Sequence, residues 1–174
     1  MSWFKQIVSL KKTALADMAT RPMLALSNQC VSVWSELASL ESTLQQAMQD
    51  LPNCHLIYAV DAGGIMLTAN ILNNDLNKEM RGASLAGRPF MSNTLPFQGL
   101  TLSHVYVSQF NLLPCITIMQ VIKQGEQVLC FVGAEFRVNV LPDGEVEMLD
   151  QPDWNPYQGY RSFRSPLVCL ERTH

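Results

Sequence analysis

The sequence predicts an α+β fold in which long N-terminal helices pack on a five-stranded, mainly antiparallel sheet. Two observations carry this. Apolar residues of the first third recur at helical spacing, and from residue 55 onward short apolar runs of strand length alternate with turn-forming residues. With 174 residues the chain suits a single domain, long enough to bury about two-thirds of its unfolded surface. Within it we distinguish a helical region (1–51), a core (52–141) and an aromatic-rich tail (142–174).

In the helical region Arg21-Pro22 interrupts the pattern, and proline is well tolerated at a helix start. From there Val31, Trp34, Leu37, Leu44, Met48 and Leu51 recur at spacings that suit one helical face. Leu51-Pro52 ends the helix, because the residue before proline is pushed out of the helical region. The first strand is His55 to Asp61. Ala62-Gly63-Gly64 then supplies a tight turn, and Ile65 to Ile71 returns as its hairpin partner. The polar stretch from Leu72 to Gly87, marked by Asn73, Asn74, Asp75 and Asn77, reads as a loop or short helix. Leu100 to Ser108 alternates, which places Leu102, His104, Tyr106 and Ser108 on one face. Cys115 to Ile122 and Gln127 to Phe136 complete the sheet as a hairpin turning at Gly125.

Composition narrows the function classes. A net charge of -3 offers no broad basic surface, so nucleic acid is not an expected partner. No apolar run reaches the roughly 18 residues of a membrane span, and the start MSWFKQIVSLKK lacks the features of a signal peptide. A cytoplasmic location is the expectation. The 5 cysteines, an odd count without CxxC spacing, argue against a disulfide framework and a zinc site. We expect neither a metal nor a cofactor.

Enzyme motifs are missing: the sequence has no G-x-S-x-G, Walker loop, H-E-x-x-H or GxGxxG. The remaining catalytic reading uses Cys115 as nucleophile with His104 as base. A free cysteine on an apolar strand is far more often a small buried hydrophobe. The expectation is that the protein is not an enzyme.

The segment Arg81-Gly82-Ala83-Ser84-Leu85-Ala86-Gly87-Arg88-Pro89-Phe90-Met91 is the most informative stretch. It follows the hairpin YAVDAGGIMLTAN and precedes LSHVYVS, LPCITIMQVI and VLCFVGAEF. In that order of elements, roughly Met23 to Leu141, the chain resembles the PDC or Cache domains, the ligand-sensing modules of bacterial signal-transduction proteins, and in particular stand-alone PDC sensor proteins. The resemblance implies a small-molecule pocket and carries site residues with it. Arg88 matches the arginine that holds a ligand carboxylate, and Phe90 replaces the tryptophan that follows it. Tyr106 matches a strand tyrosine, and Glu135 stands where an aspartate holds the ligand's ammonium group. Ser108 and Met91 occupy positions that are often acidic and aromatic. Asn70 and Ser92 are further lining candidates. The same resemblance implies a homodimer through the N-terminal helices and an output partner that the sequence does not name.

The chemistry of these residues can be read independently. Arg88 can meet a carboxylate with two parallel hydrogen bonds, or it can pair with an internal acid such as Asp61, or lie in solvent. Glu135 lies in an apolar strand, where an unpartnered carboxylate costs several kcal/mol. It therefore faces water, has a protein partner, or receives a cationic ligand group. Trp3, Phe4, Ile7, Val8 and Leu10 with Lys5, Lys11 and Lys12 make an amphipathic start that packs on the body or a second subunit, or touches a membrane surface. The reading that joins these points is a sensor domain for a small polar metabolite, a carboxylate or amino-acid-like molecule. The alternatives are a scaffold module whose pocket has closed and, more remotely, a thiol enzyme using Cys115.

Overall fold

The computed structural model describes residues 2–88 and 99–141. Phe90, Met91, Ser92 and the whole aromatic tail lie outside these residues. Two compact units divide the chain: Leu15–Leu141, which carries the sheet, and a second formed by Met1–Ala14 with Pro142–His174. Both the α+β class and the antiparallel sheet match the sequence reading.

Helix α1 spans Trp3–Cys30 and carries Pro22 inside it. Proline therefore does not open a new helix, as the sequence suggested. It is tolerated mid-helix, where it removes one backbone donor at a cost of about 3 kcal/mol. Burial offsets that cost in part. Leu15, Ala19, Met23, Leu26 and Cys30 form a stripe no more than 1% exposed, and each large member contributes about 1.5–3 kcal/mol. The break comes instead at residues 31–36, a turn that includes Val31, Val33 and Trp34, which are poor helix formers. Helix α2 (Leu37–Ala47) follows and runs into a 3-10 turn, Met48–Asp50. Leu40, Glu41 and Leu44 are the buried positions of α2, Met48 and Leu51 are buried just beyond it, and Leu37 is exposed.

The seven strands among the described residues are β1 (Cys54–Val60), β2 (Asn70–Leu72), β3 (Asp75–Asn77), β4 (Leu100–Leu102), β5 (Tyr106–Val107), β6 (Pro114–Gln124) and β7 (Gln127–Arg137). Their order is β3-β2-β1-β7-β6-β4, every pairing antiparallel, with β5 also on β6. The long β6–β7 hairpin is the one expected. Two other expectations need correction. The return strand after the Asp61 turn is not continuous. Asp61 Oδ1 accepts the Gly63 and Ile65 N–H groups, so the turn forms. The chain then makes only a bridge from Met66 to Val60 before pairing regularly at β2. Likewise, the polar stretch beyond Leu72 contains β3 and a short 3-10 helix, Lys78–Met80.

The strand expected over Leu100–Ser108 is split in two. Ser103 Oγ accepts the Thr117 N–H and donates to the His104 carbonyl, which bends the chain and leaves His104 exposed. Across the split the register against β6 slips by one residue. Leu102 pairs with Ile118, whereas Tyr106 pairs with Cys115. One residue of slip reverses side-chain direction, so Leu102 and Tyr106 point to opposite faces rather than the same one. Tyr106 thereby joins an apolar layer of Leu56, Tyr58, Val60, Met66, Leu85, Cys115, Met119, Val121 and Phe131. The other face takes the helices: Ser27 of α1 donates to the Val121 carbonyl, and Glu41 of α2 accepts the Ala69 N–H.

Candidate functional site

Glu135 is the centre of a polar cluster set into that apolar layer. It is 2% exposed, in the middle strand of the sheet, flanked by Leu56 of β1 and Thr117 of β6. Such a carboxylate must be satisfied internally. Its Oε1 accepts the Tyr106 hydroxyl at 2.7 Å, and Oε2 lies 2.8 Å from His55 Nε2. Burial alone would raise its pKa, but hydrogen bonds from His55, Tyr106 and Ser108 outweigh burial and hold it below the ordinary value. The Tyr106 hydroxyl also bonds the Thr117 hydroxyl, which in turn reaches the wholly buried Tyr58. Burial, followed by the Glu135 charge, pushes the phenol of each tyrosine above its usual value.

His55 reaches this cluster through a bulge. Cys54 pairs with Phe136 and Leu56 with Glu135, so β1 carries one residue more than β7 over this stretch, and that residue is His55. A bulge re-aims a side chain. Strict alternation would have sent His55 to the helix side with Ile57; instead its ring meets Glu135.

Arg88 stands over the ring of Tyr106. Gly87, at φ +87, gives the reversal that precedes it, a conformation that a side chain would strain. The Arg88 N–H donates to Leu85, itself buried against the layer. One guanidinium nitrogen donates to the Val107 carbonyl at 3.4 Å, and the group sits 5.8 Å from the centre of the Tyr106 ring, within cation–π range. Arg88 Nε is buried and has no hydrogen-bond partner among the described residues. Asp61, the suggested internal partner, is engaged in its own turn.

Arg81 behaves differently. Its Nε and a terminal nitrogen donate to the two oxygens of Glu41 at 2.8 and 2.7 Å, a two-pronged bond that ties α2 to the segment leading to Arg88.

Of the residues singled out from sequence, Arg88, Tyr106, Ser108 and Glu135 thus come together. Asn70 is buried on β2, where the register that pairs Ile57 with Ile71 sets it beside Tyr58. Its Oδ1 has no partner among the described residues. Phe90 and Ser92 lie outside the described residues. Sequence reasoning missed His55, Tyr58, Thr117 and Asn111. Tyr58 stands in a uniformly apolar run, and nothing local marks the bulge at His55. Cys115 is fully buried with its thiol pushed up to about 12, by burial first and then by the Glu135 charge.

The fold is shared with solved structures. An extracellular ligand-binding receptor from Desulfohalobium retbaense superposes with a TM-score of 0.57 at 12% identity over 78% of this chain. The ligand-binding domain of the Campylobacter jejuni chemoreceptor Tlp3, in complex with L-norvaline, gives 0.56 at 12% over 80%. That of the Pseudomonas fluorescens chemoreceptor CtaA, in complex with L-valine, gives 0.52 at 16% over 77%. The chain has the fold of the PDC/Cache-like sensor domains. It spans 24%, 62% and 58% of those three structures respectively. No protein-family model and no curated protein matches it. No helix among the described residues is long and apolar enough to cross a membrane.

Proposed function

We propose that this PDC/Cache-like domain is a sensor in bacterial signal transduction that binds a small polar metabolite with a carboxylate, an amino acid or a close analogue, and catalyses no reaction. The observation that carries this reading is the arrangement along Tyr106. A guanidinium whose buried Nε has no partner among the described residues lies over the ring, and a buried carboxylate accepts from the hydroxyl. A dipolar molecule would meet a cation over the ring and an anion at the hydroxyl of one side chain. Arg88 would receive the carboxylate by paired hydrogen bonds, and Tyr106 with Glu135 the polar or cationic end. The amino acids bound by Tlp3 and CtaA support this class of ligand. Absence of catalysis is supported by Cys115, whose raised thiol pKa leaves it protonated near neutrality and a poor nucleophile.

One observation favours the scaffold reading instead: the partners of Glu135 are protein side chains, as a closed interior would require. A thermal-shift screen against amino acids, small carboxylates and amines separates the two. A ligand at 100 times its Kd adds about 2.7 kcal/mol, or roughly 5–10 °C in a chain of this size. The sensor reading expects a hit that is lost in Arg88→Ala. It fails if no compound at millimolar concentration shifts Tm, or if Arg88→Ala binds the hit as tightly as the parent.

A further inference from the structure

The bulge in β1 brings together three groups that lie far apart in sequence. His55, Cys115 of β6 and Glu135 of β7 each offer a ligand atom, and these atoms lie within 4.8 Å of one another. We propose that His55 Nε2, Cys115 Sγ and Glu135 Oε2 form a binding site for one divalent transition-metal ion of the zinc type. This goes beyond the sensor reading and does not rest on it, although the two share Glu135: with the ion bound, Tyr106 is left to meet the polar end of the ligand. It also departs from the sequence expectation of no metal, which rested on the odd count of cysteines and their lack of CxxC spacing.

Three arguments lead here. The first is geometry. Tetrahedral zinc with one sulfur, one nitrogen and one oxygen ligand sets neighbouring donor atoms about 3.3–3.6 Å apart. Glu135 Oε2 and His55 Nε2, now 2.8 Å apart, need open only slightly, and the ligand atoms of all three residues already lie within 4.8 Å of one another.

The second is a conflict among hydrogen bonds. Asn111 Nδ2, a donor, lies 2.9 Å from the same His55 Nε2 that faces the acceptor Glu135 Oε2 at 2.8 Å. One ring nitrogen cannot donate to the carboxylate and accept from the amide at once. Reversing the amide does not resolve this, because Asn111 Oδ1 already accepts the Leu113 N–H at 2.8 Å. A cation between the groups does. The lone pairs of Nε2 and Oε2 both point at the metal, and Asn111 Nδ2, 3.8 Å from Cys115 Sγ, becomes a donor to the bound thiolate.

The third is charge. A divalent ion with one carboxylate and one thiolate is neutral overall, the arrangement a buried site needs, since Cys115 and Glu135 are 0% and 2% exposed. Glu135 Oε1 stays with Tyr106, which fixes the carboxylate and leaves Oε2 for the metal. His55, 17% exposed, is the ligand nearest solvent, and water would complete the fourth position. Binding transfers the Cys115 thiol proton to solvent and involves no change of oxidation state.

The test is a cobalt titration of the purified full chain after chelator treatment, with no organic ligand present. We expect one Co2+ per chain, a sulfur-to-cobalt charge-transfer absorption, tetrahedral visible bands, and displacement by Zn2+. Cys115→Ser should abolish the charge-transfer absorption while Cys130→Ser keeps it. Asn111→Ala should retain the spectrum with about 10- to 100-fold weaker binding, as expected of an outer-shell residue. Absence of the absorption at saturating Co2+, or its persistence in Cys115→Ser, would overturn the site. Zinc-edge X-ray absorption on the unmodified chain decides the matter if a variant fails to fold. One sulfur with nitrogen and oxygen neighbours is expected, and zero or several sulfurs would refute the site.

Discussion

Gly133→Ala is the sharpest test of how the floor of this site is built. Gly133 in β7 lies opposite Tyr58 of β1. A Cβ added there would stand 2.5 Å from Tyr58 Cζ, 2.6 Å from Cε2 and 2.7 Å from the hydroxyl oxygen. Unstrained carbon contacts need about 3.5–4.0 Å, so the ring would have to retreat by about 1 Å. Tyr58 is only 1% exposed, and its hydroxyl is engaged with Thr117, so it has no free space into which to swing. Overpacking of this kind costs about 1–3 kcal/mol, which at 2–4 °C per kcal/mol lowers Tm by about 2–12 °C. Circular-dichroism melts of the parent, Gly133→Ala, Tyr58→Leu and the double variant measure the effect. Leucine removes the ring edge that the new methyl meets, so the alanine should cost less in that background, with a coupling of about 1 kcal/mol or more. A Gly133→Ala melt indistinguishable from the parent, or a cost unchanged by Tyr58→Leu, would refute the close-packing argument.

Acid should weaken the domain in a definite window. Glu135 and Glu41 both titrate below the ordinary carboxylate value of about 4.3: burial raises each, but His55, Tyr106 and Ser108 in one case and Arg81 with the Ala69 N–H in the other outweigh it. The native state then binds fewer protons than the unfolded chain, so this stability is complete above the unfolded value and is lost as pH falls through the native ones. Tm should drop steeply below about pH 4 and less steeply in Glu41→Gln; equal slopes would contradict the assignment. Arg81→Ala should lower Tm more than Glu41→Gln. The first leaves a carboxylate, 5% exposed, without its two-pronged partner, while the second keeps a neutral acceptor for the Ala69 N–H. The reverse order in thermal melts would show that the pair is not what holds α2 to that segment.

The fold was legible where local chemistry and tertiary packing agree. The Asp61 turn, the β6–β7 hairpin and the helix end at Leu51 each follow from a residue whose backbone preference the structure uses. Disagreement arose where packing overrode preference. Pro22 stays inside α1 because the stripe from Leu15 to Cys30 continues past it on one face. β3 was hidden because a three-residue strand, DLN, carries no periodic signal of its own, whereas β2 overlaps the end of the expected return strand.

Within the site the limit was register. Arg88, Tyr106, Ser108 and Glu135 were legible through the family resemblance, and their residue types carry the chemistry. What strict alternation could not supply is how they meet. Two one-residue slips decide this, at His55 against β7 and between β4 and β5 against β6. Without the first, His55 would face the helices with Ile57. Without the second, Tyr106 would follow Leu102 to that same side. Both slips turn a polar side chain toward Glu135, and a buried carboxylate left without them would cost several kcal/mol. The sheet thus gives up regular pairing at the two places where regularity would strand its central charge. The local marks of this are small: Asn53 at φ 67 just before the bulge, and Ser103, whose hydroxyl takes the Thr117 N–H at the split. Neither residue type is rare enough at a strand end to announce a slip. Glu135 itself is the stronger signal, since an acid near the end of the apolar run VLCFVGAEF, in a strand flanked on both sides, demands partners from both neighbouring strands. Asking which side chains of β1 and of the 100–108 segment could supply them leads to His55 and Tyr106, and from there to the slips that deliver them.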